Sequence, residues 1–112
     1  MKKLVYAALV LFSAVSIADT QAEINYLLAQ VSSSNCKFER NGKKYEAKDA
    51  VKHIKKKYDY FEADIETAED FIKLSATKST MSGKYYMMHC PSQKPVKSEQ
   101  WLLSKLADYR AL

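Results

Sequence analysis

The chain has 112 residues, with 18 Lys or Arg against 13 Asp or Glu, and a formal net charge of +5 at pH 7. Removing Lys2 and Lys3 with a predicted leader lowers that charge from +5 to +3. We do not expect nucleic acid as a partner, because the positive charge is mild, is interleaved with acidic residues and belongs to a protein that is expected to be exported. It leaves anionic components of the cell envelope, or another protein, as the expected partners.

Residues 1–18 are a predicted secretory signal peptide. They combine a basic start, an uncharged apolar run over residues 4–15 and small residues ahead of Asp19, which are the three parts of such a peptide. The apolar run is shorter than the roughly 20 residues of a membrane-spanning helix, and no cysteine at the cleavage point offers a lipid anchor. We therefore expect an exported protein with one small domain, residues 19–112, and no stable membrane anchor.

The domain begins with a predicted amphipathic helix. Thr20 and Glu23 have the spacing of a capping box, in which each side chain bonds the backbone amide of the other residue. Apolar residues then recur at helical spacing, at Ile24, Leu27, Leu28 and Val31. The polar run of residues 32–35 is expected to end this helix.

A β-hairpin is predicted around Asn41-Gly42, a pair typical of a type I′ turn because both central positions need positive φ. Folding about this turn predicts four cross-strand pairs: Arg40 with Lys43, Glu39 with Lys44, Phe38 with Tyr45, and Lys37 with Glu46. The aromatic pair lies on one face and two opposite-charge pairs lie on the other. Each such pair contributes about 0.2–1 kcal/mol.

Two further helices are predicted, the first over residues 49–61 and the second from Thr67. The first has four lysines, residues 52 and 55–57, around an apolar stripe of Ala50, Val51, Ile54, Tyr58 and Phe61. Thr67 caps the second helix, with Asp70 as its capping-box partner. The inward-facing residues of this helix are Ala68, Phe71 and Ile72.

The C-terminal part predicts one more strand and a last helix. Residues 85–90 are aromatic and apolar, and strand alternation turns Tyr86, Met88 and Cys90 to the core. Residues 91–95 form a loop, and Ser98 caps a helix that carries Trp101, Leu102, Leu103, Leu106 and Tyr109. The expected fold is α+β, a three-stranded antiparallel sheet packed with about four helices.

The two cysteines, Cys36 and Cys90, are predicted to form a disulfide, as an even pair does in an oxidising compartment. Closing so long a loop stabilises a fold by about 4 kcal/mol in the chain-entropy treatment. With His53 and His89 the cysteines match a zinc site by residue type. In zinc fingers the paired ligands are two to five residues apart, and these four residues do not have that spacing. His89 and Cys90 are adjacent, so on a strand they point to opposite faces.

No catalytic residue, metal or cofactor is predicted. Neither cysteine opens a helix or belongs to a C-x-x-C motif, so no nucleophile is recognisable. The carboxylates at positions 64, 66, 69 and 70 surround the start of a helix, where they complement its dipole. The lysines at residues 55–57 fit either a solvated helix face or the grip on an anionic partner.

The string Ser82-Gly83-Lys84-Tyr85-Tyr86 contains the pattern S-G-x-x-Y. It resembles the loop of several families of periplasmic lysozyme inhibitors, in which polar groups enter the lysozyme cleft and meet the catalytic carboxylates. The resemblance implies a lysozyme as partner. The alternative is an ordinary loop in which Gly83 makes the turn into the next strand.

Longer blocks resemble one family across nearly the whole mature chain. They are C-x-F-x-R-N-G from Cys36, T-A-E-x-F-I from Thr67, the S-G-K-Y-Y string, and W-L-L from Trp101. Together they are similar to the YfeK-like family of small exported proteobacterial proteins, which has no assigned activity. The resemblance implies a periplasmic location and a single fold, but no mechanism.

We therefore predict a periplasmic, non-catalytic binding or interaction protein. Its partner is expected to be a protein or an anionic envelope component. The expected binding residues are Arg40, His53, Ser82, Gly83, Lys84 and Tyr86. The alternative function is lysozyme inhibition through residues 82–86.

Overall fold

The computed structural model describes residues 17–112, which form four α-helices and a four-stranded antiparallel sheet. In chain order the elements are α1 (Ile17–Ser33), β1 (Lys37–Arg40), β2 (Lys43–Tyr45), α2 (Ala47–Phe61), α3 (Ala68–Ser75), β3 (Met87–His89), β4 (Val96–Lys97) and α4 (Ser98–Arg110). A 3₁₀ turn, Glu62–Asp64, follows α2 directly. The predicted α+β class is confirmed. The signal peptide predicted for residues 1–18 falls almost wholly outside the described residues.

The hairpin has the predicted register. β1 pairs with β2 through Phe38–Tyr45, Glu39–Lys44 and Arg40–Lys43. Asn41 and Gly42 both have positive φ, 53° and 81°. Lys37 Nζ lies 2.7 Å from Glu46 Oε2, which extends the pairing by one position. The register follows from the turn, because a two-residue loop leaves the strands no freedom to slip.

The sheet has four strands in the order β2-β1-β3-β4, so the prediction of three strands is wrong. β3 pairs antiparallel with β1 through Phe38–Met88, and with β4 through Met88–Val96. β4 has two residues, too few to show the alternation by which a strand is recognised in a sequence. The loop of residues 91–95 places them by returning the chain to the outer edge of β3.

A disulfide joins Cys36 and Cys90, whose sulfur atoms are 2.01 Å apart. Cys36 immediately precedes β1 and Cys90 immediately follows β3, and these two strands are neighbours in the sheet. The bond therefore lies beside the Lys37–His89 pair and ties the two central strands at one end. The predicted cysteine pairing is confirmed.

Of the three predicted helix caps, one is confirmed and two are wrong. Thr67 Oγ1 accepts from the Asp70 amide, and the Asp70 carboxylate accepts from the Thr67 amide. Thr20 lies inside α1, which begins three residues earlier, and its Oγ1 donates to the Glu66 carbonyl. Ser98 is the first residue of α4, and its buried hydroxyl has no hydrogen-bond partner among the described residues.

The core lies where the helices meet one face of the sheet. Its largest fully buried side chains include Ile24, Leu27, Phe38, Ile54, Phe71, Ile72, Tyr86, Met88 and Leu102. Leu103, on the same helix as Leu102, is 40% exposed. Leu102 and Leu106, four residues apart, define the buried face of α4 and turn Leu103 away from it. No helix within residues 17–112 is long and apolar enough to cross a membrane.

Candidate functional site

A cleft of about 710 Å³ opens between the hairpin turn, α2 and the loop that leads to β3. Its volume lies within the roughly 300–1,000 Å³ typical of small-molecule sites. The buried and half-buried lining residues form its inner part: Arg40, His53, Lys57, Phe61, Ser79 and Tyr86. The exposed lining residues form its outer part: Asn41, Lys56, Asp59, Tyr60, Thr80 and Met81.

The loop of residues 77–86 forms one wall of the cleft and is itself a closed hairpin. Backbone hydrogen bonds of 2.9 Å close it, from Tyr86 to Thr77, from Ser79 to Lys84 and from Gly83 to Ser79. Gly83 has a φ of +74°, a conformation that glycine adopts without the strain of a side chain. The loop therefore has a defined shape and is not an open coil.

Asn41 docks this loop onto the hairpin turn. Its side-chain amide donates to Ser79 Oγ at 3.4 Å, and its side-chain carbonyl accepts from the Ser82 hydroxyl. The Ser82 hydroxyl oxygen also accepts from the Lys84 amide at 3.2 Å. Because Asn41 follows Arg40 in the chain, these bonds fix the loop wall relative to the Arg40 side of the cleft.

Tyr86 anchors the inner part of the cleft. It is 1% exposed and packs on Phe38, with ring centroids 5.0 Å apart. Its hydroxyl oxygen lies 3.0 Å from His53 Nε2 and 3.2 Å from Lys57 Nζ. Lys57 Nζ also donates to the Lys78 carbonyl at 2.9 Å. Because an ammonium group can only donate, Tyr86 accepts from Lys57 and has its own proton to donate to a neutral His53.

Burial and clustered positive charge shift the titration of this network. Burial first, and then the charges of Arg40 and Lys57, lower the pKa of His53 from 6.5 to about 4. Burial, followed by Arg40, also lowers the pKa of Lys57. Burial raises the pKa of Tyr86, an effect that Arg40 opposes. At neutral pH, His53 is therefore uncharged and the positive charge of the inner cleft is concentrated on Arg40 and Lys57.

These cations lack acidic partners. Within residues 19–112, no carboxylate forms an ion pair with Arg40, Lys56 or Lys57. Arg40 Cζ lies 5.0 Å from the centroid of the Tyr45 ring, and its Nη2 donates to the Tyr45 hydroxyl at 3.3 Å. Tyr45 thus orients the guanidinium group, while the other N–H groups of Arg40 have no protein acceptor in the described part of the chain.

Residues 18–110 match a family model described as a family of unknown function, DUF5329. The chain belongs to this family. The matched region includes every residue of the cleft in this DUF5329 protein. No curated protein and no solved structure matches the chain. The resemblance to the YfeK-like family stays a prediction, because the DUF5329 match does not bear on it.

The structure brings together three of the six predicted binding residues at the cleft, namely Arg40, His53 and Tyr86. The other three, Ser82, Gly83 and Lys84, are exposed on the adjoining loop and do not line the cleft. Their contribution to the cleft is indirect, because Ser82 bonds to Asn41 and Gly83 makes the turn of the loop.

Sequence reasoning named Lys56 and Lys57 as a possible grip on an anionic partner, but it did not group them with His53, and it missed Tyr60. The spacing of these residues along α2 contains the signal, since positions three, four and seven residues after His53 lie on the same helix face. No sequence pattern places Met81 at the cleft. Its position depends on the contacts that dock its loop on the hairpin turn, and these contacts join distant parts of the chain.

The remaining candidate groups are engaged elsewhere in the fold. Glu69 bonds to Arg110, and Asp70 caps α3, so these carboxylates stabilise the fold. His89 bonds to Glu39 on the neighbouring strand. Across residues 17–112, no group of three His, Cys, Asp or Glu side chains is placed to hold a metal ion.

Proposed function

We propose that this DUF5329 protein is a periplasmic binding protein that holds an anionic group between Arg40 and Lys57. One observation carries the proposal: both cations line one cleft, and neither has a carboxylate partner among the described residues. Burial and, after it, the charge of Arg40 lower the pKa of Lys57, so the two charges repel each other. An anion bound between them would replace this repulsion with charge-assisted hydrogen bonds.

The donors of the inner cleft favour a phosphate group as that anion. Arg40 keeps several N–H groups in a planar fork, and Lys57 keeps one N–H after bonding to Tyr86 and a backbone carbonyl. Ser79 Oγ accepts hydrogen bonds from Asn41 and from a backbone amide, so its proton can be donated to a ligand. A tetrahedral anion can accept from donors on several sides at once, whereas a planar carboxylate offers two oxygens.

The periplasmic location is supported by the predicted signal peptide and by the disulfide. Disulfides form and persist in oxidising compartments and are rare in cytosolic proteins. In that location the anionic ligand would be a phosphorylated molecule of the cell envelope.

The proposal is tested by titrating the oxidised protein with inorganic phosphate and recording the changes in NMR chemical shift. We expect shifts centred on the inner part of the cleft, at Arg40, Ser79 and Tyr86. Arg40→Gln or Lys57→Gln should weaken binding at least about tenfold, because a hydrogen bond to a charged group contributes about 1.5–3 kcal/mol.

Lys52→Gln is the matched control, since Lys52 is an exposed lysine of α2 outside the cleft lining. It should change the affinity less than about twofold, as expected for a screened surface charge. Equal weakening by Lys52→Gln, or phosphate-dependent shifts confined to another surface, would contradict the proposed site.

Lysozyme inhibition through residues 82–86 is a narrower alternative, and one observation favours it. Ser82, Gly83 and Lys84 are exposed, yet backbone hydrogen bonds hold their loop in one shape, which reduces the entropy lost on entering an enzyme cleft. Residual activity of hen and invertebrate-type lysozymes should then fall saturably with added protein. Lys84→Glu should relieve the inhibition and Lys94→Glu, on the loop of residues 91–95, should not. Full lysozyme activity at a large molar excess of protein would exclude this function.

A further inference from the structure

Two of the most exposed apolar side chains in the described part of the protein stand at the mouth of the cleft. Tyr60, near the end of α2, is 80% exposed, and Met81, on the loop of residues 77–86, is 96% exposed. Phe61 supports Tyr60, with ring centroids 4.8 Å apart. Single exposed apolar residues are common on proteins, but two of them on different walls of one cleft form a surface for an apolar group.

Their surroundings distinguish Tyr60 and Met81 from other exposed apolar residues. Tyr85 is less exposed, and Lys97 Nζ lies over one face of its ring, 4.1 Å from the ring centroid. Leu103 on α4 and Leu112, which follows α4, lie outside the cleft lining. Met81 belongs to a loop closed by backbone hydrogen bonds and docked on the hairpin turn. The backbone at Met81 therefore has a defined position on the wall of the cleft that Arg40 and Lys57 also line.

The cleft is thus divided between charge and apolar surface. Its inner part presents the half-buried cations Arg40 and Lys57. Its outer part presents the apolar surface of Tyr60 and Met81, beside the exposed and oppositely charged residues Lys56 and Asp59. Inorganic phosphate would contact the inner part alone. A ligand with an anionic head and an alkyl tail would contact both parts, with the head at the cations and the tail along the exposed side chains.

We propose that the ligand is a single molecule of an anionic amphiphile, a phosphate ester that carries an alkyl chain. This inference rests on the proposed function and adds the apolar half of the ligand to it. The position of the cations favours one molecule entering the cleft over docking on a membrane. Arg40 and Lys57 lie behind the exposed rim, whereas membrane-surface sites present their cations outermost. The rim itself carries one cation, Lys56, and one carboxylate, Asp59, so it has no net charge to attract an anionic membrane.

Calorimetric titration of the oxidised protein with butyl, hexyl and octyl phosphate, each below its micelle concentration, tests the inference. Affinity should rise with chain length by up to about fourfold for each methylene that is fully buried. From butyl to octyl phosphate we expect a gain of at least about tenfold, because the exposed rim buries each methylene only in part. Octyl glucoside, which has the same tail and no charge, should bind far more weakly than octyl phosphate.

Variants separate the two halves of the site. Met81→Ser and Tyr60→Ser should flatten the dependence of affinity on chain length and leave the affinity for inorganic phosphate unchanged. Leu103→Ser, the matched control on α4, should alter neither quantity. Arg40→Gln should weaken the binding of every phosphate compound while the dependence on chain length persists.

The outcomes also separate this inference from the proposed function. If inorganic phosphate binds at Arg40 and Lys57 but butyl and octyl phosphate bind equally well, the inference is overturned and the proposed function stands. If none of the phosphate compounds binds, the proposed function fails and the inference fails with it. Binding to phosphatidylglycerol vesicles without saturable binding of octyl phosphate would overturn the single-molecule ligand in favour of a membrane surface.

Discussion

Arg110 at the end of α4 joins three helices through two carboxylates. Its Nε and Nη2 lie 2.8 and 2.9 Å from the carboxylate oxygens of Glu23 on α1. Its Nη1 and Nη2 lie 2.7 and 3.1 Å from those of Glu69 on α3. The hydrogen bonds with Glu23 and then Glu69 raise the pKa of Arg110, and the hydrogen bond with Arg110 lowers the pKa of Glu69. We expect this cluster to be a large electrostatic contribution to the stability of the domain.

The loss of stability on removing a residue of this cluster depends on how exposed each partner is. The Glu23 side chain is 10% exposed and the Glu69 side chain is 49% exposed, while Arg110 itself is 38% exposed. Removing one partner of a fully buried pair costs about 3–5 kcal/mol. Water screens the exposed part of Arg110, so we expect Arg110→Ala to lower the free energy of unfolding by about 2 kcal/mol. Glu69→Gln should cost about 0.5 kcal/mol, as at the surface.

Most of the Arg110→Ala penalty should come from the charge left behind on Glu23. The double variant Arg110→Ala/Glu23→Gln should therefore recover about 1 kcal/mol relative to Arg110→Ala alone, since a neutral amide is less costly to bury than an unpaired carboxylate.

Urea denaturation followed by Trp101 fluorescence measures these free energies, with Lys55→Ala as a control on an exposed face of α2. The reasoning is refuted if Arg110→Ala costs no more than Lys55→Ala. It is also refuted if the double variant is less stable than Arg110→Ala.

Three further predictions concern the pH response, a buried hydroxyl and the disulfide. The pKa of His53 is about 4 in the folded protein, against an ordinary 6.5. As the pH falls, the unfolded chain therefore binds this proton before the folded protein does. The free energy of unfolding should then decrease between about pH 6.5 and pH 4. An NMR titration that places the folded His53 pKa near 6.5 would contradict this, and His53→Gln should remove that part of the slope in urea melts. Ser98→Ala should leave stability unchanged or raise it by about 0.5–1 kcal/mol in thermal melts, because the buried Ser98 hydroxyl has no partner in the described structure; a loss above 1 kcal/mol would reveal a missed hydrogen bond. Cys36→Ser/Cys90→Ser should lose about 4 kcal/mol in urea melts, given a loop of 54 residues, and a loss below 1 kcal/mol would show that the unfolded chain is already compact.

Sequence reasoning succeeds where the cause of a structure lies within a few residues. Asn41 and Gly42 set the register of the hairpin through the turn that they form. Thr67 and Asp70 fix the start of α3 through reciprocal hydrogen bonds over three positions. The alternation of residues 85–90 likewise identifies Tyr86 as a core residue, and it is 1% exposed.

Features that depend on distant residues could not be predicted in this way. Thr20 resembles a helix cap, but its hydroxyl bonds to a carbonyl 46 positions away. Glu23, its expected capping partner, bonds to Arg110, 87 positions away. The cleft has the same character, because Lys57 reaches the Tyr86 hydroxyl across 29 positions and only the folded chain brings them together. β4 forms because it pairs with the outer edge of β3, and two residues are too few to show a strand pattern in the sequence.

The disulfide also divides the chain into a cyclic segment and two open ends. Every residue that lines the cleft lies between Cys36 and Cys90, inside the covalent circle, whereas α1 and α4 lie outside it. A protease that cuts once in the exposed loop at Ser82 or Gly83 would leave both halves of the cleft covalently joined. Separating Arg40 from Tyr86 by proteolysis would require two cuts within the circle, or one cut followed by reduction. A single backbone cleavage therefore leaves the residues of the oxidised binding site in one covalently linked molecule.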